Sequence, residues 1–400
     1  MDYITLAPTQ DVNENGLVYD IDSLYAYFER VSDSRKAKGK QYPLALLLLL
    51  MMLTKLGGED KPSGMADWVA NRVEQLIEMK ILKKKSPSHM TYRRVLQETI
   101  QPEDFEGLIS AYHQKHLIQG GEMVFSMDGK SLKGSIPHGE IRGVHLLSIY
   151  VGGQGLVLVQ AEVDRKENEI VVAPKVLKQV HLSGAIVIGD AMHAQRETSA
   201  QIVESGRDYL WTVKGNQART EWAIQRLFMH EVGNLKQGAP LSKHCRMASE
   251  VRKRHGRIEK RTILVSTDLN DYLDWPSLGQ VFRLEREVWH ENGRRRTRQI
   301  VYGLTSLTPQ KASPKKLLAL TRQYWGIESG LHYRRDVTLH EDHTRLTVGA
   351  AGHYMAILNN LLIGLCLRHG WANIAKARRF LSAHPKYALH LIVKSTNPFL

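Results

Sequence analysis

The hydrophobic pattern changes near residue 122, and the change divides the chain into a helical beginning and a longer part that mixes strands with helices. Residues 44–53 are ten uninterrupted apolar positions between Pro43 and Gly57-Gly58. This pattern predicts a buried helix with proline at its start and glycine at its end. Helices are also predicted over 65–79 and 90–96, whereas 1–22 has no clear period and is expected to be loosely ordered. Residues 1–119 are therefore predicted to form a helical domain.

The stretch 120–217 carries short apolar runs that are typical of strands. Strands are predicted over 123–127, 145–151, 156–163, 185–189 and 208–213, and helices over 168–180 and 193–205. Gly152-Gly153 marks a hairpin turn between the second and third strands. The order of three strands, helix, strand, helix and strand predicts a mixed α/β sheet with flanking helices.

The remainder of the chain has two predicted parts. Residues 218–312 begin helically and then become basic and strand-rich, with the clearest strands over 262–266, 280–286 and 299–304. Residues 313–400 are predicted to be helical, because Ser313-Pro314 is a typical helix start and 349–368 is a long apolar segment.

Charge narrows the possible partners. The 400 residues include 55 Lys/Arg and 41 Asp/Glu, so the net charge is +14, and residues 216–312 contribute 18 against 10, or +8. An excess of this size favours a polyanion such as nucleic acid, although a merely basic protein is the ordinary alternative. A hydrophobic content of 42% excludes a disordered protein.

Cysteine usage and hydropathy point to a setting inside the cell. Cys245 and Cys366 lie far apart and predict neither a disulfide framework nor a cysteine zinc site. The N-terminus lacks a signal-peptide pattern, and the apolar run 44–53 is too short to span a bilayer. We therefore expect a cytoplasmic protein without a membrane partner.

Three acidic residues carry the candidate chemistry. Asp128 and Asp190 each end an apolar run of strand type, and Glu328 lies within the helix predicted to run from Ser313 towards Asp336. Ligands gather at strand ends in α/β sheets, and like charges placed together require a cation between them. All-oxygen ligation suits Mg²⁺ or Mn²⁺, and such a site can hold two ions about 4 Å apart. A turn-forming Asp before glycine and a solvated helical Glu are the ordinary alternatives.

A histidine-rich stretch raises the alternative of a zinc site. His332, His340, His343 and His353 follow Glu328, but their spacings match no common zinc motif. We expect these side chains on the surface or near DNA phosphates.

Basic and amide side chains near the strand ends and in the basic segment are predicted to contact DNA. A loop tip rich in arginine suits a phosphate backbone, although a solvated loop is the alternative. Trp211 and Trp325 can stack on an unpaired base, although core packing is the commoner role. The predicted DNA-binding residues are Lys130, Lys133, Lys214, Asn216, Gln217, Arg254, His255, Arg257, Arg261, Arg294, Arg295, Arg296, Arg298 and Arg335.

Several motifs together resemble bacterial insertion-sequence transposases of the H-repeat-associated group (the IS-As-one type), within the DDE transposase class. In chain order they are Tyr42-Pro-Leu-Ala45 with Ser88-His-Met-Thr-Tyr-Arg-Arg94, Asp128-Gly-Lys-Ser-Leu-Lys-Gly134, Lys166-Glu-Asn-Glu-Ile170, Asp190-Ala-Met192, Lys214-Gly-Asn-Gln217, His255-Gly-Arg-Ile-Glu-Lys-Arg261, Trp325-Gly-Ile-Glu-Ser-Gly-Leu-His332, and Asp336-Val with Glu341-Asp342. The similarity extends from about residue 23 to 370.

The resemblance implies a fold and a site. It implies a ribonuclease-H-like catalytic core formed by 120–217 and 313–400, interrupted by an insertion at 218–312 and preceded by a transposase-associated helical domain. Asp128, Asp190 and Glu328 then occupy the three DDE positions, which serve as catalytic residues and metal ligands. Three departures concern the third acid. Tyr324 and Arg335 stand where related enzymes often carry Arg and Lys, and Ser329 stands where members of the group usually have Asn.

The resemblance also implies an activity. A DDE transposase uses two Mg²⁺ or Mn²⁺ ions to hydrolyse a strand at the transposon end, and the freed 3′-hydroxyl attacks target DNA. The expected partners are double-stranded terminal inverted repeats, target DNA and a second copy of the chain, in association with the nucleoid. A metal-dependent nuclease without strand transfer and a catalytically idle DNA-binding protein are the alternatives.

Overall fold

The computed structural model describes residues 9–395 except 119, 181, 255 and 291–295. Its centre is a nine-stranded mixed sheet whose two faces carry separate hydrophobic cores. Along the first central strand, Val124 faces one core, whereas Phe125 and Met127 face the other. Helices cover both faces, as the alternation of inward residues predicts.

The strands are β3 Val124–Ser131, β4 His145–Val151, β5 Leu156–Glu162, β6 Ile186–Gly189, β7 Asp208–Val213, β8 Cys245–Arg254, β9 Arg257–Ser266, β10 Gln280–His290 and β11 Arg296–Thr305. They lie in the order β5-β4-β3-β6-β7-β11-β10-β9-β8. β3 runs antiparallel to β4 and parallel to β6, and β6 runs parallel to β7. Parallel neighbours need a crossover, which the helices α7 (Glu169–Lys178) and α8 (Arg196–Glu204) provide.

The strands β5-β4-β3-β6-β7 and the helices beside them form the mixed α/β sheet with flanking helices that the sequence predicted for 120–217. The basic segment begins with helix α9 (Ala218–Lys236) and then adds β8 to β11 to the same sheet, because β11 pairs antiparallel with β7. β8 was not predicted from the sequence, since its residues are mostly polar and lie at the sheet edge.

A second body is helical. Its N-terminal members are α1 Leu24–Phe28, α2 Leu44–Leu56, α3 Pro62–Ala70, α4 Val73–Glu78, α5 His89–Arg94 and α6 Pro102–Lys115, and its C-terminal members are α11 Ala351–Arg368, α12 Ile374–Ala383 and α13 Pro385–Val393. They share one hydrophobic core, and every residue of α2 is buried. The predicted helix over 65–79 is interrupted between α3 and α4.

The N-terminal segment differs from its expected loose order. Part of the stretch expected to be loosely ordered forms a two-stranded ribbon, β1 (Gln10–Val12) with β2 (Val18–Asp20). Among the described residues, no helix combines the length and the apolar character that crossing a membrane requires.

Candidate active site

Asp128 and Asp190 lie side by side on neighbouring strands. The parallel register of β3 and β6 pairs Met127 with Gly189, so the two aspartates are the next residues on adjacent strands, where backbones lie about 5 Å apart. Asp190 directly follows β6, and its Oδ1 accepts a hydrogen bond of 2.9 Å from the Met192 N–H. The sequence pattern placed Asp128 at the end of a strand, but it lies within β3, which continues to Ser131.

Glu328 reaches the same place from the helix α10 (Pro314–Ile327). At Glu328 the helix widens into a π-helical turn, Glu328–His332, a feature that often occurs at functional sites. One ligand atom from each of Asp128, Glu328 and His332 lies within 4.8 Å of the other two. The structure therefore brings the first and third predicted acids together and adds a histidine that the sequence analysis placed elsewhere.

The acids form a cluster of uncompensated negative charge. Burial raises the pKa of Asp128 to about 8, and the neighbouring carboxylates of Glu328, Glu169 and Asp190 contribute further. Over the described ranges, no lysine or arginine forms an ion pair with Asp128, Asp190 or Glu328. A divalent cation is the group that would relieve this repulsion.

A cleft of about 210 Å³ connects Asp190 with Glu328. Tyr324 and Trp325 of α10 line it, together with Lys214 after β7. Burial and the nearby acids raise the pKa of the Tyr324 hydroxyl, so this group remains a hydrogen-bond donor. Trp325 is 51% exposed, which contradicts core packing for this residue, whereas Trp211 is fully buried as that role requires.

Glu169 is a further carboxylate beside Asp128 that the sequence analysis did not single out. Its Oε1 lies 2.8 Å from His145 Nε2, and its Oε2 lies 3.1 Å from His193 Nε2. Burial alone would raise the pKa of Glu169, but the two histidines outweigh it and lower the pKa to about 2. A Cβ at Gly129 would lie 2.2 Å from Glu169 Oε1, so only glycine fits between this carboxylate and the strand. The motif Lys166-Glu-Asn-Glu-Ile170 was the available signal.

Two of the four histidines expected at the surface are buried instead. His332 and His353 are buried, whereas His340 and His343 are exposed. Burial lowers the pKa of His332 to about 3, with Arg335 and Lys130 contributing. His353 contacts Glu106 at 3.2 Å and Glu162 at 3.3 Å, and these partners overcome burial to raise its pKa to about 9.

The predicted DNA-binding residues fall into three groups. Lys133, Lys214, Arg257 and Arg298 are exposed, although Arg298 also pairs with Glu285. Asn216 and Gln217 are also near the surface, but they donate to the carbonyl oxygens of Ala191 and Ala194. These two amides therefore brace the turn that follows Asp190.

The second group is buried and disagrees with its predicted role. Arg335 has no exposed surface, and its Nε donates to Glu341 at 2.9 Å. Lys130 is 8% exposed and pairs with Asp336 at 2.6 Å, and Arg261 is 2% exposed. The guanidinium of Arg335 is therefore enclosed by protein and does not face the surface, where a DNA phosphate would bind. The third group, His255, Arg294 and Arg295 with the side chains of Arg254 and Arg296, lies outside the described residues.

A basic groove of about 1010 Å³ runs from the inserted strands to the π-helical turn. Arg252, Arg257 and Arg322 line it, together with Ser329, the residue that follows Glu328. Lys253, Arg286, Glu259 and Val288 complete the lining. Arg252 and Arg322 pair with Glu250, and Arg286 and Arg322 pair with Glu259. The basic side chains of the groove still outnumber these two glutamates, so the groove carries a net positive charge up to the residue beside Glu328.

Comparison with known proteins places the chain in a family. The model described as "Transposase DDE domain" matches residues 119–363, and the model described as "DDE_Tnp_1-associated" matches residues 25–113. The "Putative transposase YncI" of Escherichia coli O157:H7 is 28% identical over 86% of this chain and 87% of its own length. The "H repeat-associated putative transposase YhhI" of E. coli K12 is 25% identical over 86% and 90%.

Two other matches add less, because one has no functional name and the other is a distant structural match. An uncharacterised protein from the region 3′ of dhlA in Xanthobacter autotrophicus is 32% identical over 65% of this chain and 86% of its own length. The piggyBac transposase in its synaptic complex with hairpin DNA has a TM-score of 0.42 and 9% identity, over 92% of this chain and 77% of that one. Because the transposase model covers more than half of the chain, this protein belongs to the Transposase DDE domain family.

Proposed function

We propose that this protein cuts and joins DNA strands as the transposase of its own insertion sequence, with Asp128, Asp190 and Glu328 as its catalytic carboxylates. One observation carries the proposal. Acids from two adjacent strands and a distant helix converge without a lysine or arginine partner among the described residues, at the end of a basic groove. An acidic pocket that adjoins a band of positive charge suits a phosphodiester, whose reacting phosphate needs cations.

The side chains fit a pair of divalent ions. The donor set is rich in carboxylate oxygen, which Mg²⁺ and Mn²⁺ prefer. Burial first, and then the neighbouring carboxylates, raise the pKa of Asp128, and bound cations would offset both effects. Glu328 is 52% exposed, so the site is open to a large substrate. When bound, such ions activate the attacking oxygen and stabilise the charge that develops on the phosphate.

The other residues of the site position DNA. Arg252, Arg257 and Arg322 line the groove, and we assign it to the phosphate backbone of double-stranded DNA. Lys214 lies in the cleft between Asp190 and Glu328 and can hold a phosphate near the acids. The exposed ring of Trp325 in the same cleft offers a stacking surface for an unpaired base.

The family name and the basic inserted segment suggest which DNA is bound. We assign the helical domain 1–119 and the insertion 218–312 to recognition of terminal inverted repeats, and the core formed by 120–217 and 313–400 to catalysis and target DNA. We further propose a homodimer that brings two transposon ends together, in association with the nucleoid. Light scattering on repeat DNA should give two protein copies per pair of ends, and a single copy would refute the dimer.

A strand-transfer assay tests the activity. Asp128→Asn, Asp190→Asn and Glu328→Gln should each abolish both cleavage and joining while leaving DNA binding intact. Asp271→Asn and Glu204→Gln change exposed carboxylates away from the site and serve as matched controls. Cleavage without joining of a 3′-hydroxyl donor would indicate a nuclease. Binding without either reaction in the wild-type protein would indicate an idle DNA-binding protein.

A further inference from the structure

His332 occupies an unusual position for a histidine. Its side chain is 8% exposed, and its Nδ1 faces Asp128 Oδ2 at 3.6 Å and Glu328 Oε2 at 3.8 Å. Its other nitrogen, Nε2, is buried without a hydrogen-bond partner among the described residues. The Nδ1 edge of this buried imidazole therefore points between the two carboxylates.

The distances from His332 Nδ1 to the two carboxylate oxygens show whether these atoms are hydrogen-bonded or spaced to bind the same cation. A nitrogen that donates to a carboxylate lies about 2.7–3.2 Å from the oxygen, and 3.6 Å is outside that range. Two atoms bound to one cation at about 2.0–2.2 Å are separated by roughly 3–4 Å, depending on the angle between them. The distances of 3.6 Å and 3.8 Å from His332 Nδ1 to the two carboxylate oxygens match the separation of two ligands of one cation.

Simple packing does not account for this arrangement. A histidine buried only for packing would direct both nitrogens to protein partners, as His353 does with Glu106 and Glu162. His332 instead directs one nitrogen at a pair of carboxylates that have no lysine or arginine partner among the described residues. Glu328 and His332 are the first and last residues of the π-helical turn, and their ligand atoms both lie within 4.8 Å of a ligand atom of Asp128.

Building on the proposed function, we infer that His332 is a metal ligand that completes a nitrogen-containing site with Asp128 and Glu328. The neutral imidazole supplies its Nδ1 lone pair, and the two carboxylates supply the negative charge. This assignment adds a fourth protein ligand to the three acids of the proposed mechanism.

The inference predicts which ion the site prefers. Magnesium favours oxygen ligands and accepts nitrogen poorly, whereas imidazole is a good ligand for transition metals. The Asp128–Glu328–His332 site should therefore favour Mn²⁺ over Mg²⁺ more strongly than a site of carboxylates alone. Replacing His332 by glutamine, which offers an amide oxygen, should reduce that preference.

Pulsed electron paramagnetic resonance of Mn²⁺ bound to the full-length protein gives a direct test. Coupling to a nitrogen nucleus should be present in the wild-type protein and change when the histidines carry nitrogen-15. His332→Gln should remove the coupling. Loss of a group that only supports a metal ligand weakens metal binding roughly 10- to 100-fold, so loss of a direct ligand should weaken Mn²⁺ binding by at least as much. His343→Gln, which alters an exposed histidine of the same region, should leave both unchanged.

The possible results separate this inference from the proposed function. If Mn²⁺ binds, depends on Asp128 and shows no nitrogen coupling, or retains the coupling in His332→Gln, the ligand assignment is wrong and the carboxylate mechanism stands. If no saturable Mn²⁺ binding depends on Asp128, the metal-dependent function and the ligand assignment both fail. Loss of the coupling in His332→Gln while Mn²⁺ still binds supports the assignment, because a merely structural role would leave the coupling unchanged.

Discussion

Replacing Asp128 by asparagine should stabilise the metal-free protein while it abolishes the proposed activity. Asp128 is partly enclosed, with 16% of its side chain exposed, and it lies near Glu328, Glu169 and Asp190. Asparagine has nearly the same shape as the protonated acid but carries no charge. The substitution therefore removes the cost of burying a charge, together with the smaller repulsion from the neighbouring carboxylates, without opening a cavity.

The magnitude follows from the pKa of Asp128, which rises from 3.8 to about 8 in the folded protein. Each pKa unit corresponds to about 1.4 kcal/mol, so the upper limit is about 6 kcal/mol. Glu328 is half-exposed, so water screens its charge and the effect falls below this limit. We therefore expect Asp128→Asn to raise the free energy of unfolding by about 1–3 kcal/mol. The folded state binds the proton more tightly than the unfolded chain, so this contribution to stability falls as pH rises from about 4 to about 8.

Thermal unfolding followed by circular dichroism, with EDTA present, measures the effect. Comparing variant and wild type at each pH removes the contributions that they share, such as those of Glu169 and His353. Asp128→Asn should melt a few degrees higher than the wild type, and the difference should be larger at about pH 8.5 than at about pH 5. A variant that is no more stable at the higher pH, or whose advantage shrinks there, would refute the electrostatic account. Asp271→Asn should show no comparable dependence on pH.

Three further changes test other parts of the structure. Gly129→Ala places a methyl group against the Glu169 carboxylate and should cost about 1–3 kcal/mol, measured by denaturant unfolding; an unchanged midpoint would contradict the tight fit. Arg335→Met removes the cationic partner of the buried Glu341, which retains a hydrogen bond from Asn359, and should destabilise the fold by about 3–5 kcal/mol, whereas loss of an exposed DNA contact would cost almost nothing. Arg257→Gln should lower the slope of logarithmic DNA affinity against logarithmic salt concentration by about one, and an unchanged slope would remove this residue from the DNA path.

Local sequence pattern was sufficient for most of the secondary structure near the site. The strands over 145–151 and 208–213 match β4 and β7, because continuous apolar runs between turn residues suit buried strands. Ser313-Pro314 starts α10 as predicted, with the Ser313 hydroxyl accepting the Lys316 N–H. The pattern was less informative for β8, because a polar edge strand lacks the apolar period.

The sequence by itself determined the family, the mixed sheet with flanking helices, and the positions of Asp128, Asp190 and Glu328 along the chain. Motif order and apolar period are properties of short segments, so they can be recognised before the chain folds. The tertiary structure alone decided that His332 faces Asp128, that Glu169 lies beneath Gly129 between two histidines, and that Arg335 is enclosed with Glu341. The physical reason is that burial and charge compensation depend on which distant segments meet, and β3, α7 and α10 meet only when the sheet has assembled.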